Sequence, residues 1–295
     1  MKKNKKEKKY IAPNECSGRR WLGVLAMSGL FSMLLSFPVA LLMMDRTGTF
    51  LGVNYEIIMQ LMNFVPLFFG MVIALKVVGK TSLKEFVLGA GKSFNMKENL
   101  TILAVFAAGF ALGNLTDFNN THLRGVTAGE FGGLVLVMLA LAWMQTTCEE
   151  LFFRGVFLRW FCKNDIGFNK KSILATVFST VLFALFHIAN PEVTSLSGVE
   201  RIVIMFAYVI PGLVFFLADL YFGNMMPGII MHWVNNFLLF TLISGEVSAV
   251  AAPTLLVSTA SHNAYGVLIS TVVTYLPMAV YILWDAMKKK KAAAV

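Results

Sequence analysis

The chain has 295 residues, 57% of them hydrophobic and 14% charged, with a mean hydropathy of +0.71 and a formal net charge of +9. A soluble domain carries about 25% charged residues, so a water-soluble enzyme is excluded, and 23 Gly with 8 Pro are too few for a disordered tract or a fibrous repeat. What remains is an integral membrane protein whose 26 Phe and 17 Met face lipid or neighbouring helices.

Apolar stretches fall near 21–44, 55–78, 100–116, 132–161, 172–190, 201–222, 226–245 and 264–284. Most approach the 20 or so residues a helix needs to cross the hydrocarbon, and none shows the alternation of transmembrane strands. The fold class is therefore all-α, a polytopic bundle of about eight spans. The first stretch is too long for the apolar core of a signal peptide and lacks a small-residue cleavage site, so it is expected to stay as a helix. The third is the weakest, at roughly 17 residues. Between the sixth and seventh, Gly-Asn-Met-Met-Pro-Gly is short and uncharged enough to turn within the interface.

Cytoplasmic loops retain Lys and Arg. Of 25 such residues, 22 lie in the tail to Arg20, the stretches Lys76–Lys97 and Arg154–Lys171, and the run Lys288–Lys291; Arg46, Arg124 and Arg201 lie one in each of three opposite loops. Eight spans put both termini on one side, and this bias makes that side cytoplasmic. Residues 1–20 then form a basic tail, 21–287 a single bundle with a catalytic core over about 132–245, and 288–295 a second basic tail. The expected partner of these clusters is the lipid bilayer, in the cytoplasmic membrane of a prokaryote, and not nucleic acid, for which no binding motif exists. Cys16, Cys148 and Cys162 imply no disulfide framework.

Ionisable residues inside a membrane are costly unless they pair or line a cavity. The densest group is Glu149-Glu150-Leu-Phe-Phe-Arg154 in the fourth span, followed by Phe183-Ala-Leu-Phe-His187 in the fifth and His232-Trp-Val-Asn-Asn236 in the seventh. Residues four apart share a helix face, so Glu150 is the natural ion-pair partner of Arg154. Glu149 has Phe152 and Phe153 where a local cation would sit, which leaves it as the candidate general base. His187 fits a residue that orients this base and shares its proton. His232 and Asn236, one turn apart, offer donors for a developing oxyanion, while Asn235 faces elsewhere, towards a neighbouring helix. Asp219 suits either a structural role or a cavity wall, and His122 and His262 fall in outside loops. Counted from the inner end of each span at 1.5 Å per residue, Glu149 lies about 18 Å deep, His187 about 22 Å and His232 about 9 Å, an offset that an in-membrane start of the seventh span at Pro227 would close.

These residues resemble the CPBP family of intramembrane proteases, also called Abi, which includes CAAX prenyl endopeptidases of the Ras-converting type. Its motifs E-E-x-x-x-R, F-x-x-x-H and H-x-x-x-N are matched in order by Glu149, Glu150 and Arg154, by Phe183 and His187, and by His232 and Asn236, over roughly residues 132–245. The resemblance implies an eight-helix bundle with a cavity open to the cytoplasmic side. It also implies cleavage of a peptide or lipidated protein by a water activated at Glu149 with His187, an oxyanion site at His232 and Asn236, and an architectural role for Glu150 and Arg154. The preferred mechanism uses no cofactor. The alternative is zinc held by Glu149, Glu150, His187 and His232, although the stronger H-E-x-x-H signature is missing.

Other protease classes fail on their own motifs: there is neither G-x-S-G nor G-x-G-D, and an apolar setting disfavours the thiolate that Cys148 would need as a nucleophile. Two non-proteolytic functions compete, a membrane immunity or scaffold protein using the same cavity and a proton-coupled transporter, the latter without the inverted repeats common in that class.

Overall fold

A computed structural model describes residues 18–44, 47–162, 166–250, 252–259 and 263–292. Cys16, Arg46, His262 and nearly all of the N-terminal tail lie outside these residues, so the expectations placed on them have no structural counterpart here.

In chain order, α1 (Gly18–Met43) leads into a short hairpin of β1 (Thr49–Phe50) and β2 (Val53–Asn54). Then come α2 (Tyr55–Met62), α3 (Phe64–Val77), α4 (Leu83–Leu88), α5 (Met96–Leu115) and β3 (Thr121–Leu123). Next, α6 (Ala128–Glu150) runs without a break through a π-helical stretch, Leu151–Phe157, into α7 (Leu158–Cys162). The remainder is α8 (Lys170–Phe186), α9 (Pro191–Thr194), α10 (Gly198–Phe222), α11 (Met226–Thr241), β4 (Ile243–Gly245), β5 (Leu256–Ser258) and α12 (Ala264–Ala292).

Each of the eight apolar stretches carries a helix. Six helical runs are long and apolar enough to cross a membrane: Gly18–Met43, Tyr55–Val77, Met96–Leu115, Ala128–Cys162, Gly198–Phe222 and Ala264–Ala292. The chain is thus an all-α, multi-pass membrane protein. The weak third stretch becomes a 20-residue helix because it starts at Met96, where the Asn95 side chain accepts from the Glu98 N–H. The two remaining helices, α8 and α11, have 17 and 16 residues; α8 holds Phe183 and is capped by His187, and α11 holds His232 and Asn236.

Local sequence explains the boundaries. Thr127 and Glu130 form a reciprocal capping box at the start of α6, as do Ser82 and Glu85 at α4, each satisfying N–H groups that a helix start leaves open. Asn169 caps α8 by accepting from Ser172 N at 2.9 Å. Gly223 ends α10 at φ +70°, a left-handed conformation that costs glycine little, and Pro227 opens α11.

α1 packs on α3, α3 and α11 on α6, α8 and α11 on α10, and α5 and α10 on α12. One core cluster gathers Trp21, Leu75, Phe86, Leu151 and Met225; a second gathers Ile57, Leu134 and Met138; a third gathers Phe106, Phe215, Met231 and Tyr275. At the end of the bundle opposite the basic clusters, β5 joins β3 in antiparallel and β4 in parallel register, with His122 exposed on β3 opposite Val257.

The charge count needs one correction. Arg154 and Arg159, taken as part of a cytoplasmic stretch, lie inside the bundle, at 4% and 0% exposure. Arg159 is tied to the Gly155 and Phe86 carbonyls and lies over the Phe86 ring at 3.9 Å. Lys288–Lys291 continue α12 as its last turns instead of forming a separate tail.

Candidate active site

Glu149 and Glu150 end α6, and the helix widens immediately afterwards into its π-helical turns. A π turn loosens the carbonyl ladder and is frequent at functional sites. Here the Phe153 carbonyl accepts from Ser179 Oγ of α8 at 2.8 Å, which fastens the wide turn to the neighbouring helix.

Arg154 Nη1 donates to Glu150 Oε1 at 2.6 Å, the i,i+4 pair that the spacing predicts. His232 of α11 reaches the same oxygen with Nδ1, also at 2.6 Å, and its Nε2 lies 3.4 Å from Glu149 Oε2. One imidazole therefore bridges both acids. Because a carboxylate only accepts, Nδ1 of His232 carries the proton, and Nε2 is the nitrogen turned to Glu149.

The depth offset between the fourth and seventh spans closes at the start of α11. The backbone N–H of Met225 bonds the Val87 carbonyl of the α4 segment at 2.9 Å, so the turn before α11 is covered instead of hanging in solvent. Asp219, 3% exposed, accepts from the Gly228 N–H at 2.8 Å and caps the first turn of α11, one turn before His232. Its role is structural.

Two aromatic rings wall the ion pair. The Arg154 guanidinium lies over Phe183 at 5.5 Å and over Phe215 at 5.2 Å, while His232 stacks on Phe215 and meets Phe183 edge-on. Phe215 was missed by sequence reasoning, since one more Phe in an apolar span carries no motif. α10 brings it this close because a Cβ on Gly212 would sit 2.6 Å from Thr180 Cγ2 and 3.2 Å from Arg154 Nη2.

His187 is the C-cap of α8 and not a residue within the helix. Its Nδ1–H donates to the Phe183 carbonyl at 2.8 Å, and the ring lies between Phe183 and Tyr208. It is within Coulombic range of Glu149 without a direct hydrogen bond to it. Asn236 stands one turn beyond His232 on α11, but its Oδ1 accepts from Asn235 Nδ2 at 3.2 Å. Asn235 thus bonds its own neighbour and not another helix, and among the described residues Asn236 has no bond to Glu149, His187 or His232.

Of the four side chains in the zinc alternative, Glu149, Glu150 and His232 meet as ionic partners, while the Nδ1 of His187 is bonded to the Phe183 carbonyl. Among the described residues no three His, Cys, Asp or Glu side chains gather as a metal-binding group, and Glu150 Oε1 is already engaged by Arg154 and His232. Cys148 and Cys162 are buried and form no disulfide among the described residues.

Adjacent acids, a buried arginine and an interhelical histidine thus meet inside a helical membrane bundle. Residues 131–238, which contain them all, match the family model described as Type II CAAX prenyl endopeptidase Rce1-like. This bears out the resemblance read from the three motifs. The chain is also similar to YyaK of Bacillus subtilis (strain 168), described as an uncharacterized protein, with 27% identity over 171 residues, covering 57% of this chain and 54% of that relative. The match thus spans about half the relative's length.

Proposed function

We propose that this protein is an intramembrane endopeptidase that hydrolyses a peptide bond of a membrane-associated or lipidated peptide with a water activated by Glu149. The observation that carries the reading is the unequal state of the two adjacent acids. Glu150 has no accessible side-chain surface and its Oε1 is held by Arg154 and His232, whereas Glu149 keeps 14% of its own surface. Of the two acids, Glu149 is the one with accessible side-chain surface.

In this reading Glu149 takes a proton as the water oxygen attacks the scissile carbonyl carbon, then returns it to the leaving amine as the C–N bond breaks. His187, with Nδ1 fixed on a backbone carbonyl, presents Nε2 to the reacting water. The Asn236 Nδ2 group donates to the oxyanion, a contribution of roughly 10²–10³ in rate for one such donor, and His232 adds Nε2–H when its ring holds both protons. No metal takes part. The chain would act in the cytoplasmic membrane of a prokaryote with both termini inside.

The test is cleavage of candidate peptides, prenylated and unmodified, by the purified protein in liposomes. Glu149→Ala and His187→Ala should each abolish cleavage without changing expression or elution in detergent. Full activity in either variant refutes the assignment, and loss of wild-type activity to a chelator with recovery on adding zinc refutes the metal-free route.

A further inference from the structure

The aromatic face opposite Phe183 on His187 belongs to Tyr208, in the first half of α10, with ring centroids 4.6 Å apart and planes 30° from parallel. The tyrosine is itself anchored. Its phenol O–H donates to Glu192 Oε1, and Asn190 Nδ2 donates both to that oxygen and to the phenol oxygen, each at 3.1 Å. Asn190 and Glu192 lie three and five residues after His187, in the turn leaving α8 and the start of α9. The segment departing from His187 is therefore tied, through one phenol, to the helix that covers its ring.

We propose that Tyr208, held by Glu192 and Asn190, is a positioning residue that fixes the His187 ring so that Nε2 faces the reacting water. The inference rests on the proteolytic reading above for its purpose but not for its geometry. A histidine at a helix C-cap has lost the packing of the next turn, and one hydrogen bond at Nδ1 leaves the ring free to swing about the Cα–Cβ bond. Phe183 closes one face at 4.5 Å, and Tyr208 closes the other. With both faces and the Nδ1 edge occupied, the Nε2 edge is the one left to react. None of the three family motifs includes Tyr208, Asn190 or Glu192.

The experiment uses the full chain in detergent micelles with ¹⁵N-labelled histidine, the His187 signal being identified by its loss in His187→Gln. The wild type should show a persistent Nδ1–H resonance for His187. Tyr208→Leu, which removes the covering face, should broaden or abolish it, and Tyr208→Phe, which keeps the face and loses the anchor, should fall between. Glu192→Ala removes the anchor from the other side and should match Tyr208→Phe, which keeps the proposal testable should the leucine variant misfold. An unchanged Nδ1–H resonance in the folded variants overturns the proposal.

In turnover, Tyr208→Leu should lower kcat about 10- to 100-fold, the scale of a misplaced reacting group, with KM within about twofold, and Tyr208→Phe should recover most of that loss. A change in KM alone overturns the proposal as well. If the resonance responds as described while the wild type cleaves no peptide, the positioning stands and the proteolytic reading falls.

Discussion

Glu150 Oε1 lies 2.6 Å from both Arg154 Nη1 and His232 Nδ1, so a single carboxylate oxygen joins the wide turn after α6 to α11. Removing one partner from a buried charge pair costs about 3–5 kcal/mol, because the other charge stays buried alone. Arg154→Met should therefore lower the unfolding midpoint in detergent markedly, while Glu149→Gln, whose acid is partly accessible, should lower activity and leave the midpoint near that of the wild type. Equal thermal shifts in the two variants would contradict the division of roles between the acids.

Asp219 provides a second separation. Its carboxylate caps the turn that leads to His232, and loss of such a cap costs about 0.5–2 kcal/mol. Asp219→Ala should lower both stability and kcat; Asp219→Asn, which keeps an acceptor oxygen, should restore most of each. Thermal unfolding and peptide turnover on the same preparations measure this, and an asparagine variant as impaired as the alanine one would show that the charge matters and not the cap.

Gly212 lets α10 approach Thr180 and Arg154. Overpacking of a close contact typically costs 1–3 kcal/mol, so Gly212→Val should destabilise by about that amount and move Phe215 away from Arg154. Loss of turnover with a lowered midpoint is expected, and wild-type values for both would mean the helices separate freely at this point.

We propose that the basic clusters mark the cytoplasmic side of the membrane. A single cysteine at Lys288 in a cysteine-free background should be protected from a membrane-impermeant maleimide added to intact cells, and one at His122 should react. The reverse pattern would place the termini outside.

Much of the candidate site was legible where the relation is local. The Glu150–Arg154 pair follows from i,i+4 spacing alone. Contacts between helices were less legible. That His232 touches both acids depends on where α11 starts, which is set by the Met225 bond to Val87 and by the Asp219 cap; neither has a pattern along the chain. Phe215 and Tyr208 were invisible because an aromatic residue in an apolar run reads the same whether it faces lipid, a guanidinium or an imidazole. Arg159 was misread for the same reason in reverse: proximity to a basic loop suggested water, and the fold gives it backbone carbonyls and an aromatic face instead.

The π-helical turns at Leu151–Phe157 hold more residues per turn than an α-helix does, and that surplus fixes the phase of everything after it. Deleting one residue while the wide winding persists would rotate the downstream segment by roughly a quarter turn, swinging Arg159 out of its pocket between Phe86 and Trp21. Insertions would turn it the opposite way. Length between the acids and the inner edge of this helix is thus held as tightly as residue identity, and variation in the stretch should be confined to exchanges that preserve its count.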